Sequence, residues 1–128
     1  VERTLIDTDI LIDVTRRIER SIRLLQGCAE QSHPAISVVT QLELLIGCRN
    51  KAELQKIERF IARFEVVLID PSVSLRAVDL IRQYRLSHGL LLADGLIAAT
   101  ALEANLPILT KNQRDFQFIE GLQLLPVS

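Results

Sequence analysis

Short apolar runs, separated by longer stretches of helical periodicity, follow one another along the whole chain. Residues 4–6, 35–36, 66–69, 108–109 and 122–125 read as strands. They are continuous rather than alternating, as strands covered on both faces are. Between them, Val14, Ile18, Ile22 and Leu25 fall on one face of a single early helix, with Arg16, Arg17, Arg20 and Arg23 opposite. Val39, Leu42, Glu43 and Ile46 repeat at i, i+3, i+4, i+7, which predicts a buried stripe that includes the glutamate. Leu54, Ile57, Ile61 and Phe64 form a further apolar face, and Ala77, Leu80, Ile81 and Tyr84 another.

Local stop and start signals support these helices. Ser37 is placed as an N-cap. Asp70-Pro71 combines a capping carboxylate with proline at the first helical position. Ser87-His88-Gly89 ends one helix, and Asn105 followed by Pro107 ends the next. Strands alternating with helices predict right-handed βαβ units and a three-layer α/β/α sandwich around a short, mostly parallel sheet.

Length and composition narrow the reading. A chain of 128 residues with 48% hydrophobic positions is expected to form one domain with a real core. The formal net charge of −1 supplies no global field toward nucleic acid, so any such contact needs a local basic patch. Cys28 and Cys48 match no zinc spacing and read as free thiols in a reducing cytosol. No apolar run is long enough to cross a bilayer, and no signal peptide is visible. The expected location is cytoplasmic. Val1, where a methionine would start, suggests that the native beginning lies upstream.

The carboxylates carry the chemistry. Asp7 ends the first strand, Glu43 sits in an apolar stripe, Asp94 begins the stripe Asp94, Ile97, Ala98, Ala101, and Asp115 follows a buried strand. Like charges at about 4 Å repel by roughly 4 kcal/mol at an effective dielectric near 20. A hard divalent cation removes that penalty, and all-oxygen ligands suit Mg²⁺ and Mn²⁺. Sites in open α/β sheets form at the carboxyl ends of strands. The residues therefore point to a metal-dependent phosphodiesterase. Asp9 and Asp13 read as first-turn residues favoured by the helix dipole, with Asp9 open to an outer-shell role. His33 and His88 are not placed for a metal-free mechanism.

Four segments in this order resemble a PIN domain, and more narrowly the VapC-type toxin ribonuclease of VapBC toxin–antitoxin pairs. They are Leu5-Ile6-Asp7-Thr8-Asp9, Ser37 to Gly47, Asp94 to Ala101, and Leu109 to Phe116. The resemblance spans essentially the whole chain and implies one PIN-like domain over residues 1–128. It implies a metal-dependent endoribonuclease using Mg²⁺ or Mn²⁺ and leaving 5′-phosphate and 3′-hydroxyl ends. Asp7, Glu43 and Asp94 match the family's most recognisable acids. Asp115 completes the set where other members carry an acid at the place of Asn112. Asn112 and Thr110 can add an amide oxygen and a hydroxyl. Asp9 stands where the family often has a neutral polar residue. Implied partners are RNA, a VapB-like antitoxin and a second copy of the chain. Leu44, Leu45, Ile57 and Ile61 are candidate dimer contacts, although core packing explains them more economically. The early arginines form a solvated face or a contact for RNA or an acidic partner.

Other functions remain open at this level. Asp7-Thr8-Asp9 also resembles the start of a haloacid-dehalogenase-type phosphatase, but Leu11 replaces the expected Thr or Val, and Glu43 has no role. A receiver domain would use Asp70 and Lys111 and leave Glu43 and Asp94 over. The third alternative is a catalytically silent RNA-binding module of the same fold.

Overall fold

The computed structural model describes residues 2–127; Val1, on which the expectation of an upstream start rests, lies outside them with Ser128. Four strands, β1 (Arg3–Ile6), β2 (His33–Ser37), β3 (Glu65–Val67) and β4 (Ile108–Leu109), form one sheet in the order β3-β2-β1-β4, with every pairing parallel. The crossovers are α1 (Thr8–Thr15) with α2 (Glu19–Gln31), α3 (Val38–Ile46) with α4 (Lys51–Ile61), and α5 (Pro71–His88) with α6 (Leu92–Ala104). A 3-10 turn, Gln113–Asp115, follows β4.

Successive strand residues point to opposite faces and so build two cores. Leu5, Ala35 and Ile108 pack with Ala77, Leu80, Ile97 and Ala98 of α5 and α6. Ile6, Ile36 and Leu109 pack with Ile10, Leu25, Leu44 and Ile61 from the helices of the other face. The predicted sandwich is therefore present, with a wholly parallel sheet. Leu44 and Ile61 are buried, and Leu45 and Ile57 pack against the same core, so core packing accounts for these four rather than a dimer surface.

Three expectations need correction. Residues 122–125 are not a strand: Ile108 makes one isolated bridge to Leu124, and Pro126 has no N–H with which to extend the ladder. The early helix is two helices. Arg17 adopts a left-handed conformation (φ 60°), and the Ile18 N–H bonds back to the Asp13 carbonyl at 2.9 Å, a Schellman-type stop. Leu42 and Ile46 do not lie on a buried stripe but are 52% and 81% exposed, because α3 turns Val39, Thr40 and Leu44 inward. Glu43 is exposed with them.

The anticipated caps are in place. Ser37 Oγ accepts from Val39 N, and Asp70 Oδ1 from Val73 N. Gly89 and Asn105 take the left-handed conformation that ends α5 and α6. Cys28 and Cys48 are unbridged, and no helix among the described residues is long and apolar enough to cross a membrane.

Candidate functional site: a carboxylate cleft between β1 and β4

Strand order reverses at β1. The chain proceeds from β1 to β2 and β3 on one side, then returns to place β4 on the other. The carboxyl ends of β1 and β4 flank that switch point, where α/β sheets hold their ligands. Asp7 is the first residue beyond β1 and Thr110 the first beyond β4, and the Asp7 N–H bonds to the Leu109 carbonyl at 2.9 Å.

Asp7 is buried and caps α1, accepting from Thr8 N at 2.9 Å. The fully buried Thr110 hydroxyl lies 2.8 Å from Asp7 Oδ2 and 3.2 Å from Asp9 Oδ2. Its single proton is shared between two carboxylates. The Asn112 N–H adds a donor to Asp9 Oδ2 at 3.2 Å. Asn112 thus meets Asp9 through its backbone N–H. Asp9 Oδ1 is buried and has no hydrogen-bond partner among the described residues.

Glu43 reaches the cleft from α3 despite its exposure. The Thr8 hydroxyl donates to Glu43 Oε1 at 2.7 Å, and the Thr40 hydroxyl, wholly buried, lies 2.9 Å from that of Thr8. A carboxylate only accepts, so the chain of protons runs from Thr40 to Thr8 to Glu43. Asp94 sits half-buried in the first turn of α6. The helix approaches α5 closely just there: a Cβ on Gly95 would meet Ile81 Cδ1 at 3.0 Å. Asp115 is exposed at the end of the 3-10 turn.

Electrostatics joins these acids. Burial, then the charge of Asp9, pushes Asp7 up to about 7, against the Thr110 hydrogen bond, with Asp94 adding to the rise. Asp94 is raised to about 6 by burial first, then by Asp115, Glu43 and Asp9. A first-turn carboxylate should be lowered by the helix dipole. The opposite sign at Asp94 means that burial and neighbouring acids outweigh it. Asp9 is also raised, chiefly by burial. Asp7, Asp9, Glu43, Asp94 and Asp115 therefore share one electrostatic neighbourhood.

These residues suit a hard cation by their chemistry. The donors are all oxygen, one buried carboxylate oxygen is orphaned, and two carboxyls have pKa values raised by burial and by neighbouring acids. Among the described residues no three Asp, Glu, His or Cys side chains are drawn into a closed ligand set.

Asp13 is not a first-turn residue. It lies in the last turn of α1, buried, and accepts from Lys111 Nζ at 2.7 Å and Ser21 Oγ at 2.8 Å. Thr8, Thr40 and this pair went unnoticed in the sequence. His33 opens β2 at the amino edge of the sheet, and His88 stacks on Phe118 (centroids 4.3 Å apart). The receiver alternative loses its residues, because Asp70 is spent capping α5 and Lys111 is held by Asp13.

Fold and site together describe an α/β protein with a carboxylate-lined cleft at a sheet switch point. The PIN domain family model matches residues 4–121, and the chain belongs to that family, among its VapC-type members. It is 37% identical over 120 residues to ribonuclease VapC10 of Mycobacterium tuberculosis, covering 93% of this chain and 90% of that protein. It is 32% identical over 124 residues to ribonuclease VapC1 of Methanocaldococcus jannaschii, covering 95% and 85%. A chain of a toxin–antitoxin complex from Klebsiella pneumoniae superposes with a TM-score of 0.78 at 29% identity, covering 93% of this chain and 94% of that one.

Proposed function

We propose that this chain is a metal-dependent endoribonuclease, the toxin of a type II toxin–antitoxin pair, acting in the cytoplasm as a single PIN-like domain over residues 1–128. The observation that carries the reading is the gathering of Asp7, Asp9, Glu43, Asp94 and Asp115 at the β1/β4 switch point, with Asp7 and Asp94 both raised. The names of the curated relatives, ribonucleases of the VapC type, support it.

Asp7, Asp94, Glu43 and Asp115 would hold Mg²⁺ or Mn²⁺, with the free oxygen of Asp9 beside them. Such an ion, when bound, lowers the pKa of water and offsets the charge that develops on a phosphodiester under attack. The protein's own part is orientation. Thr110 and the Asn112 N–H fix one oxygen each of Asp7 and Asp9. Thr40, through Thr8, turns Glu43 toward the cleft. Asp7, raised to about 7 by burial first, would carry its charge more fully with such a cation beside it.

A groove of about 940 Å³ adjoins the cleft, with Glu43 on its wall, Ile12, Leu44 and Phe60 on its floor, and Arg16, Lys56 and Arg63 at its rim. An apolar floor with a basic rim suits an amphipathic segment carrying acids, and we place the antitoxin there. That a similar chain was solved in a toxin–antitoxin complex supports a partner of that kind. The second copy of the chain implied by the family belongs to the same proposal.

The test is cleavage of single-stranded RNA with Mg²⁺ or Mn²⁺ added. Asp7→Asn, Glu43→Gln and Asp94→Asn are each expected to abolish cleavage while the far-UV circular dichroism spectrum is unchanged. Cleavage that survives all three means the site lies elsewhere; an unaltered chain that binds RNA without cutting it under any divalent ion supports the silent module instead.

A further inference from the structure

Lys111 stands between the two residues that hold the acids, yet its own side chain goes elsewhere. Thr110 donates its hydroxyl to Asp7 and Asp9, and Asn112 donates its N–H to Asp9. Lys111 Nζ instead reaches Asp13 Oδ2 at 2.7 Å. Asp9 and Asp13 are one helical turn apart on the same side of α1. The 110–112 segment is thus fastened to α1 at two successive points.

We infer that Lys111, gripped by Asp13, is a positioning residue for the acid cleft: the ion pair holds residues 110–112 where the Thr110 hydroxyl and the Asn112 N–H bind Asp7 and Asp9. The inference rests on the reading that those acids work with a divalent cation.

This pair differs from an ordinary surface salt bridge, which contributes little. The Asp13 side chain is only 12% exposed, against 34% for Lys111. The same oxygen of Asp13 accepts a second donor, the hydroxyl of Ser21, itself 2% exposed. Ser21 arrives because the chain stops α1 at the left-handed Arg17 and turns α2 back across it. The two hydrogen bonds and the lysine charge lower the pKa of Asp13, the Lys111 hydrogen bond foremost, whereas burial raises that of Asp7.

The direction of Lys111 also keeps its charge from neutralising the cleft. The charges that act on Asp94 are all acids: Asp115, Glu43 and Asp9. An ammonium group aimed at them would take the place of a cation. Asp13 removes that competitor and turns it into an anchor.

The experiment compares Lys111→Met, Lys111→Arg, Ser21→Ala and, as reference, Asp7→Asn in the purified chain. Mn²⁺ affinity is read by titration calorimetry, RNA cleavage by initial rates, and folding by thermal melts without metal. Lys111→Met is expected to bind Mn²⁺ about tenfold more weakly, as loss of a group that orients a ligand does. Its kcat should fall while KM for RNA stays, and Lys111→Arg, which can still meet a carboxylate, should recover most of both. Should Lys111→Met fail to fold, Ser21→Ala carries the test through a smaller loss of Mn²⁺ affinity. Unchanged Mn²⁺ affinity in the folded variants, or a rise in KM alone from a direct phosphate contact, overturns the role. Asp7→Asn separates the two levels. If it still binds Mn²⁺ normally, the parent reading falls; if it loses the ion and Lys111→Met does not, only the role of Lys111 falls.

Discussion

The Thr110 hydroxyl lies 2.8 Å from Asp7 Oδ2 across 103 residues of sequence. The contact exists because β4 pairs with β1 in parallel, Leu5 against Ile108 and Ile6 against Leu109, so both strands deliver their next residue to the same edge. The bond favours ionised Asp7 and partly offsets the effect of burial. Thr110→Val keeps the shape and removes the donor. The expected cost is about 1–3 kcal/mol of stability, the range for stranding a buried polar group. Asp7 should rise further, so Mn²⁺ affinity, measured by calorimetry across pH, should reach half its maximum at a higher pH than in the unaltered chain.

Without metal, the cleft makes the protein less stable as pH rises. Asp7 and Asp94 titrate near 7 and 6 when folded and near 3.8 when unfolded, so the folded state binds more protons between those limits. Their contribution is complete below pH ~4 and is lost as pH climbs through ~6 to ~7. Melts in a chelating buffer should show a higher Tm at pH 5 than at pH 8. Asp7→Asn should flatten that slope and melt higher than the unaltered chain at pH 8. Mn²⁺ should raise the Tm of the unaltered chain at pH 8 far more than that of the variant. An equal slope in both proteins would remove Asp7 as its source.

Thr40 acts at one remove. Its hydroxyl, wholly buried, supplies the proton that leaves the Thr8 hydroxyl free to donate to Glu43. Thr40→Val should cost about 1 kcal/mol, the ordinary worth of a hydrogen bond. Cleavage should slow several-fold through kcat, because Glu43 loses its fixed direction. Urea denaturation and initial rates measure the two effects separately.

Arg17 offers a test away from the cleft. A non-glycine side chain at φ 60° costs roughly 1–2 kcal/mol relative to ordinary helical backbone. Arg17→Gly should raise stability by about 0.5–1 kcal/mol, once the greater freedom of glycine in the unfolded chain is counted. A higher urea midpoint with unchanged Mn²⁺ affinity is the expected result.

Much of the layout could be read from patterning, and the failures have physical causes. Residues 108–109 were placed without error, because two buried β-branched or leucine positions between Pro107 and a polar stretch leave few alternatives. The break at Arg17 was hidden, because Val14, Ile18 and Ile22 keep helical spacing across it and no glycine or proline marks the stop. Periodicity also chose the wrong face of α3. Glu43 was singled out as part of a buried stripe, yet Leu42 and Ile46 beside it face outward, and its link to the cleft is a hydroxyl chain. The acids were legible because charge at strand ends is conspicuous. Thr8, Thr40 and the Asp13–Lys111 pair were not, because a threonine in a helix and a lysine in a turn look ordinary until distant segments meet.

The β1–β4 pairing also has a consequence in time. The polypeptide leaves the ribosome from its amino end, so Asp7 emerges first and Thr110, which completes its surroundings, 103 residues later. A nascent chain, or one cut short before residue 110, carries the first acids without the segment that holds them. Under the proposed activity, such a product lacks Asp115 and the groups that hold Asp7 and Asp9, and is expected not to cut RNA.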